Sequence, residues 1–268
     1  MTLLQSIVLG LVQGITEFLP ISSSGHLILA RKYLGIADEM SLPFDVMLHM
    51  ATLLAILIYY YSDIRDLLLE VRYSGIRSKA GKTILAIIVG SVPAGLAGFL
   101  WADWLEAAFR NPTNVAYSLI LGSVVFLAAD WYEKSHKASD ANVSDGEIDR
   151  GKGFLIGLFQ AGALIPGMSR SGLSISGGLF TGLSREEAIR FAFLLGIPTI
   201  AGAGLKTILD IKDVTTFLLD PYIYTGAAAA FLSGIVAIRF LVRFLSRNSF
   251  NVFVAYRILL ALTILKLL

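Results

Sequence analysis

The chain has 268 residues, of which 56% are hydrophobic and 16% charged, with a net charge of +2 and no cysteine. A soluble domain would carry about a quarter charged residues, so the composition and a mean hydropathy of +0.72 read as a polytopic membrane protein. The small net charge gives no reason to expect a nucleic-acid partner, and the lack of cysteine excludes a disulfide, a thiol nucleophile or a thiolate metal site.

The apolar run that begins at Leu3 resembles a signal peptide only in being apolar. No Lys or Arg precedes it, so it is expected to be retained. Region 3–34 is broken by Pro20 and by the serines of TEFLPISSSGH, residues 16–26. The flanking pieces are short against the roughly 20 residues a spanning helix needs. Irregular backbone at membrane depth is tolerated only where protein buries it or where it lines a wet cavity. This region is therefore expected to be a re-entrant helix–loop–helix element. Predicted spans follow near 43–61, 84–104 and 115–132. The most polar stretch, KASDANVSDGEIDR at 137–150, predicts a flexible loop. Region 153–182, interrupted by PGMSRSG at 166–172, predicts a second re-entrant element, and spans near 186–206, 221–243 and 250–268 complete the chain.

The two broken regions look like copies. GLVQG at 10–14 matches GLFQA at 157–161, and Gln13 precedes Gly25 by 12 residues, as Gln160 precedes Gly172. Each copy is followed by three spans, and an odd number of spans inverts the second copy in the membrane. The expected fold is all-α: one integral membrane domain over 1–268, with six transmembrane helices and two re-entrant elements arranged as an inverted repeat, about 1–135 and 151–268. Basic residues cluster in 62–83, in 133–152 and at Arg243 and Arg247, whereas 105–113 and 207–220 hold only Arg110 and Lys212. Positively charged loops favour the cytoplasm, so both termini are expected outside. Arg31 and Lys32 then fall on the outer side, against the rule.

In the first loop, Pro20 should end a helix near Leu19, and Ser22, Ser23 and Ser24 can cap the next one. A helix start presents free N–H groups and a positive dipole end, which suits phosphate; the same serines would equally serve as caps of a buried helix. Glu17 and His26 add ionisable groups at membrane depth, where such groups usually pair or line a functional cavity. Ser23 and His26, three apart, would share a face as a nucleophile–base or nucleophile–acid pair, or Glu17 and His26 would form a structural hydrogen bond. In the second loop Arg170 lies between Ser169 and Ser171, a planar donor fork suited to phosphate or a structural partner for Glu17. Glu17 is the sole acid in either loop, too thin a supply for an all-protein metal cage. A divalent cation, Mg2+ or Ca2+, could still be shared between Glu17 and a substrate's own phosphates. Gln13 and Gln160 lead into the loops and would help orient the site. Asp45 and His49 are weaker candidates at the start of a span, and Arg257, inside the last span, is expected to have a structural partner.

EFLPISSSGH preceded by QGIT, together with PGMSRSG and FAFLLGIP at 191–198, resembles the bacitracin-resistance family of undecaprenyl-diphosphate phosphatases over essentially the whole chain. The resemblance implies a hydrolase of the cell membrane that removes the terminal phosphate of a polyprenyl diphosphate, recycling the lipid carrier for cell-wall or surface-glycan assembly. It implies catalytic roles for Glu17, Ser23, His26 and Arg170. The family often carries a second Glu where this chain has Gln13, which offers a carbonyl oxygen but no charge. The expected substrate contacts are Ser22, Ser24, Gly25, Ser169, Ser171, Gly172, Gln13 and Gln160, with Glu17 as the protein's metal ligand and the site open to the outer face. A polyprenyl-phosphate flippase is the alternative function, and a homodimer is compatible with the sequence.

Overall fold

The computed structural model describes residues 1–36, 41–109, 111–137, 147–210 and 220–266. Among these the chain is entirely helical, with eleven helices: α1 Leu3–Phe18, α2 Ser23–Leu34, α3 Ser41–Tyr59, α4 Tyr61–Ser74, α5 Lys79–Phe109, α6 Pro112–Lys137, α7 Arg150–Gly162, α8 Arg170–Phe180, α9 Arg185–Asp210, α10 Pro221–Leu245 and α11 Asn251–Lys266.

Both interrupted regions fold into helical hairpins. α1 opens on a capping box between Thr2 and Gln5 and stops at an extended Leu19, where Pro20 forbids continuation. α2 returns and ends on Gly35 in the left-handed conformation. The Gln5 amide donates to the Leu34 carbonyl at 3.0 Å, closing the open end of the hairpin. In the second hairpin Asp149 caps α7 by accepting from the Lys152 N–H at 2.8 Å. The chain then turns through Pro166 and Gly167, where φ is +100°, into α8.

Small residues set how the hairpins seat. α1 runs parallel to α10, with the Ser6 hydroxyl on the Tyr222 carbonyl, Gly10 against Gly226 and Gly14 against Ala230, Ser233 and Gly234. α7 runs parallel to α5, with Gly153 against Ala86 and Gly157 against Gly90. A Cβ on Gly14 or Gly157 would strike the facing carbonyl oxygen. This close backbone approach through small residues is how helices associate where lipid removes the hydrophobic drive between them.

Ion pairs gather the basic segments at one end of the bundle. Arg185, opening α9, is paired with Glu133 and, at 2.6 Å, with Asp130 near the end of α6. It also donates to the Asn248 carbonyl between α10 and α11 at 3.2 Å, and the Phe250 N–H donates to Asp130 at 2.7 Å. Arg190 meets Asp63 at the start of α4 at 2.5 Å, and Lys82 meets Glu147 just before α7 at 2.5 Å. The first hairpin is rooted at the opposite end, beside the start of α10. The second is rooted at the basic end, beside the start of α5. Their tips meet inside the bundle.

Four predicted spans are helices long and apolar enough to cross a membrane: Lys79–Trp101, Pro112–His136, Arg185–Lys206 and Pro221–Leu245. The span expected at 43–61 is a helix that bends by 65° into α4, a fifth candidate if the pair counts as one. The span expected at 250–268 is the 16-residue α11, short of the length a straight crossing needs. Segment 62–83, read as a loop, contains α4, which buries no residue. Most of the linker at 137–150 and of loop 207–220, with Arg110 and Lys212, lies outside the described residues. The surface is apolar over much of its area. Trp101 and Trp104 are exposed toward one end and Trp131 toward the other, the placement of interfacial aromatic anchors.

Candidate active site

The two hairpin tips have the same local build. Ser22 and Ser169 are the non-glycine residues with positive φ among those described, at 73° and 74°. Each precedes a helix start and caps it. Ser22 Oγ accepts from the Gly25 N–H and Ser169 Oγ from the Gly172 N–H, both at 3.4 Å. Each hydroxyl also lies 3.2 Å from the hydroxyl two residues on, Ser24 or Ser171. Superposing the caps puts Arg170 where the first tip has Ser23, Leu164 in place of Glu17 and Leu173 in place of His26. The scaffold is duplicated and the chemistry divided: acid, hydroxyl and imidazole on one tip, the cation on the other.

Glu17 is the hub. Its side chain is only 3% exposed, and one carboxylate oxygen is paired with the Arg170 guanidinium across the two tips. The other oxygen accepts from Ser23 Oγ at 2.7 Å and from the Gln13 amide at 3.0 Å. His49 Nε2 on α3 stands 3.6 Å from that same oxygen. A buried carboxylate without partners would be very costly; here an arginine, a hydroxyl and an amide satisfy it. The first residues of α2 and α8, Ser23 and Arg170, thus converge on one carboxylate through their side chains.

The expected contact between Ser23 and His26 is not the one the structure makes. The Ser23 hydroxyl donates to Glu17. His26 Nδ1 lies 2.7 Å from the Ser22 carbonyl, which can only accept, so Nδ1 carries the proton. Nε2 is 2.7 Å from the Tyr256 hydroxyl, and the two rings stack within 8° of parallel. The i to i−4 bond to Ser22 competes with the shared helix face that spacing alone suggests, and it turns the imidazole toward α11.

Arg257 is fully buried, and its partners are carbonyls and a hydroxyl rather than an acid. Its guanidinium donates to Pro20 O at 3.3 Å in the first tip, to Gly167 O at 2.9 Å in the second, and to Leu119 O and Ser123 Oγ on α6. At Pro20 and Gly167 it satisfies carbonyls that the helix breaks leave without intrahelical donors. Asp45 pairs with Arg31, and this neutralises the arginine that ran against the charge rule. Sequence reasoning did not find Tyr256. A tyrosine next to a buried arginine in the last span was the available signal. It weighed His49 only weakly, because a position on another helix gives no sign of what it faces.

Of the residues expected to contact substrate, Gln13 holds Glu17 through its amide nitrogen, while its Oε1 is buried with no hydrogen-bond partner among the described residues. Both polar atoms of Gln160 are likewise buried and have no partner among the described residues. Among the described residues no cluster of three or more His, Asp or Glu could by itself hold a metal ion.

Over residues 6–263 the sequence matches the family described as "Bacitracin resistance protein BacA". It is 42% identical to a protein of Moorella thermoacetica named undecaprenyl-diphosphatase, across 97% of this chain and 96% of that protein. Proteins of the same name from Thermomicrobium roseum and Elusimicrobium minutum are 40% and 37% identical, each across 99% of this chain and 98% of their own length. With a match over nearly its whole length, this chain belongs to the BacA family of bacitracin resistance proteins.

Proposed function

We infer that the chain is an integral membrane phosphatase that hydrolyses undecaprenyl diphosphate to undecaprenyl phosphate and inorganic phosphate, returning the lipid carrier to cell-wall synthesis. Family membership and the shared name of its relatives support this reading, and they do not favour the flippase alternative. The structural observation that carries it is the Glu17 hub, where an arginine from one tip and a serine hydroxyl from the other meet on one buried carboxylate.

Phosphoryl transfer asks mainly for positioning and charge stabilisation. At rest Arg170 is held by Glu17. An incoming terminal phosphate competes for that guanidinium and for the helix-start N–H groups, and as Arg170 turns to phosphate, Glu17 becomes free to act as a base. Ser23, hydrogen-bonded to that carboxylate, then attacks phosphorus and passes its proton to Glu17 as the anhydride P–O bond breaks, releasing undecaprenyl phosphate. Water attacks the phosphoserine in turn, frees inorganic phosphate and restores Ser23. His26, its Nδ1–H anchored on the Ser22 carbonyl and its Nε2 on Tyr256, sits one helical turn from Ser23 as the group that relays protons to solvent. Ser22, Ser24, Ser169 and Ser171 present hydroxyls for the diphosphate, and the Gly25 and Gly172 N–H groups become available to it once the capping hydroxyls of Ser22 and Ser169 turn away.

A divalent cation fits this donor set only if the substrate supplies most of its ligands. Glu17 offers one carboxylate and Gln13 a carbonyl oxygen without a partner among the described residues, as Mg2+ sites with few protein ligands do. When bound, it would neutralise charge on the diphosphate oxygens. In the membrane we assign α1–α2 and α7–α8 as re-entrant hairpins of an inverted repeat within one domain. α3, α5, α6, α9, α10 and α11 are the six spans. The basic end is cytoplasmic and the site opens outward.

The test is phosphate release from undecaprenyl diphosphate by the purified protein in detergent, beside Arg170→Lys. Turnover by the native protein and its near-loss in the variant are expected. No release by the folded native protein would overturn the assignment.

A further inference from the structure

The basic end carries a feature that the phosphatase reading does not use. Arg239 and Arg243, four apart near the end of α10, share one helix face, and Arg247 follows in the turn just past Leu245, beside the same groove. All three are exposed, and none of their side chains has an ion-pair or hydrogen-bond partner among the described residues. They border two adjoining grooves. One, of about 390 Å3, is lined by these arginines with Tyr59, Ile235, Val242, Ser246 and Glu186. The other, of about 470 Å3, lies between Arg239 and Arg243 and the apolar Val236, Phe240 and Phe244, with Asn248 at its rim.

Arrayed guanidinium groups repel one another, and Glu186 is a single acid against three cations. Arg239 lies six residues before the end of α10, about 9 Å into a candidate span at 1.5 Å per residue. An unpaired charge at that depth is costly, and its usual relief is to snorkel toward the headgroup layer. Phe240 and Phe244 interleave with the arginines, and Ile235 and Val236 carry the apolar wall one turn back along the helix from Arg239, in the direction acyl chains would lie. Cations at the mouth and hydrocarbon below complement a lipid with a negatively charged headgroup.

We propose that the Arg239–Arg243–Arg247 grooves bind the phosphate headgroup of an anionic phospholipid, at a site separate from the hairpin tips. Guanidinium forks suit phosphate oxygens, and basic clusters at the cytoplasmic surface attract anionic lipids. The grooves dock a lipid of the leaflet at the basic end and leave the catalytic tips untouched.

Native mass spectrometry of the purified protein tests this, with phosphatidylglycerol, phosphatidylcholine or inorganic phosphate added at equal concentration. The native protein should retain phosphatidylglycerol about tenfold better than phosphatidylcholine, and phosphate should not displace it. Arg239→Gln with Arg243→Gln should abolish the preference while undecaprenyl-diphosphate turnover in detergent stays unchanged. Arg247→Gln alone should weaken it and serves if the double variant fails to fold. Undiminished preference in either folded variant, equal retention of the two lipids, or displacement by free phosphate would each overturn the proposal, the last by showing an ion site in place of a lipid site.

Discussion

At Glu17 one carboxylate serves three donors, and the consequences of changing any of them differ. Glu17→Gln keeps the shape but removes the charge that holds Arg170 and the base that Ser23 requires. Turnover should fall at least about 100-fold, the scale of a lost general base, with the thermal midpoint in detergent reporting that the fold survives. Activity within a few-fold of native would exclude Glu17 as the proton acceptor. Ser22 behaves differently from its neighbours, because its φ of 73° puts it in a region that side chains avoid. Ser22→Ala loses the cap and keeps the strain, for a cost of about 1–2 kcal/mol from the cap alone; Ser22→Gly relieves the backbone and should be the more stable of the two in thermal unfolding. Gln160 is the opposite case. Its amide is buried and has no partner among the described residues, so Gln160→Met should leave the thermal midpoint unchanged or raise it. A rise in KM for that variant would mark the amide as a substrate contact; unchanged kinetics would remove it from the site.

Among the elements, most of the helices can be read from apolar length alone, and the breaks at Pro20 and at PGMSRSG fall where proline and serine chemistry puts them. α4 escaped because its composition is polar and none of its residues is buried; nothing in a hydropathy pattern separates such a helix from a basic loop. Glu17, Ser23 and Arg170 were legible as unusual residues at membrane depth. The Arg170–Glu17 pairing, across 153 residues, was one of two readings open for Arg170, but that Ser23 would join the same carboxylate, and that His26 would turn to Tyr256 across 230 residues, no local pattern encodes. The same holds for Arg257. Its placement inside a span announced a partner but not that the partners would be carbonyls of both tips. Arg257→Lys keeps the charge yet lacks the fork needed to reach Pro20, Gly167 and α6 together. Each buried acceptor left unmet costs about 1–3 kcal/mol, so the thermal midpoint and turnover should fall together. A variant with native stability and native turnover would show that the tips hold their geometry without it.

For the whole molecule, the direction of each hairpin is the feature that decides how the site meets the membrane. The Gln5–Leu34 bond roots the first hairpin at the end away from Arg185, Arg190 and Lys82. If the basic end is cytoplasmic, as charge bias favours, Tyr33 at the close of α2 and Asn111 between α5 and α6 lie on the outer side, and Ser74 at the close of α4 lies inside. Tyr33, Asn111 and Ser74 are all exposed, and the chain has no cysteine of its own, so single cysteines at these positions report cleanly. In intact cells a membrane-impermeant thiol reagent should label Tyr33→Cys and Asn111→Cys but reach Ser74→Cys only after the membrane is opened. Labelling of Ser74→Cys alone would invert the molecule in the membrane. Labelling of Asn111→Cys without Tyr33→Cys would mean that the first hairpin does not return to the side it entered from, and the two tips could then no longer meet as re-entrant elements from opposite faces.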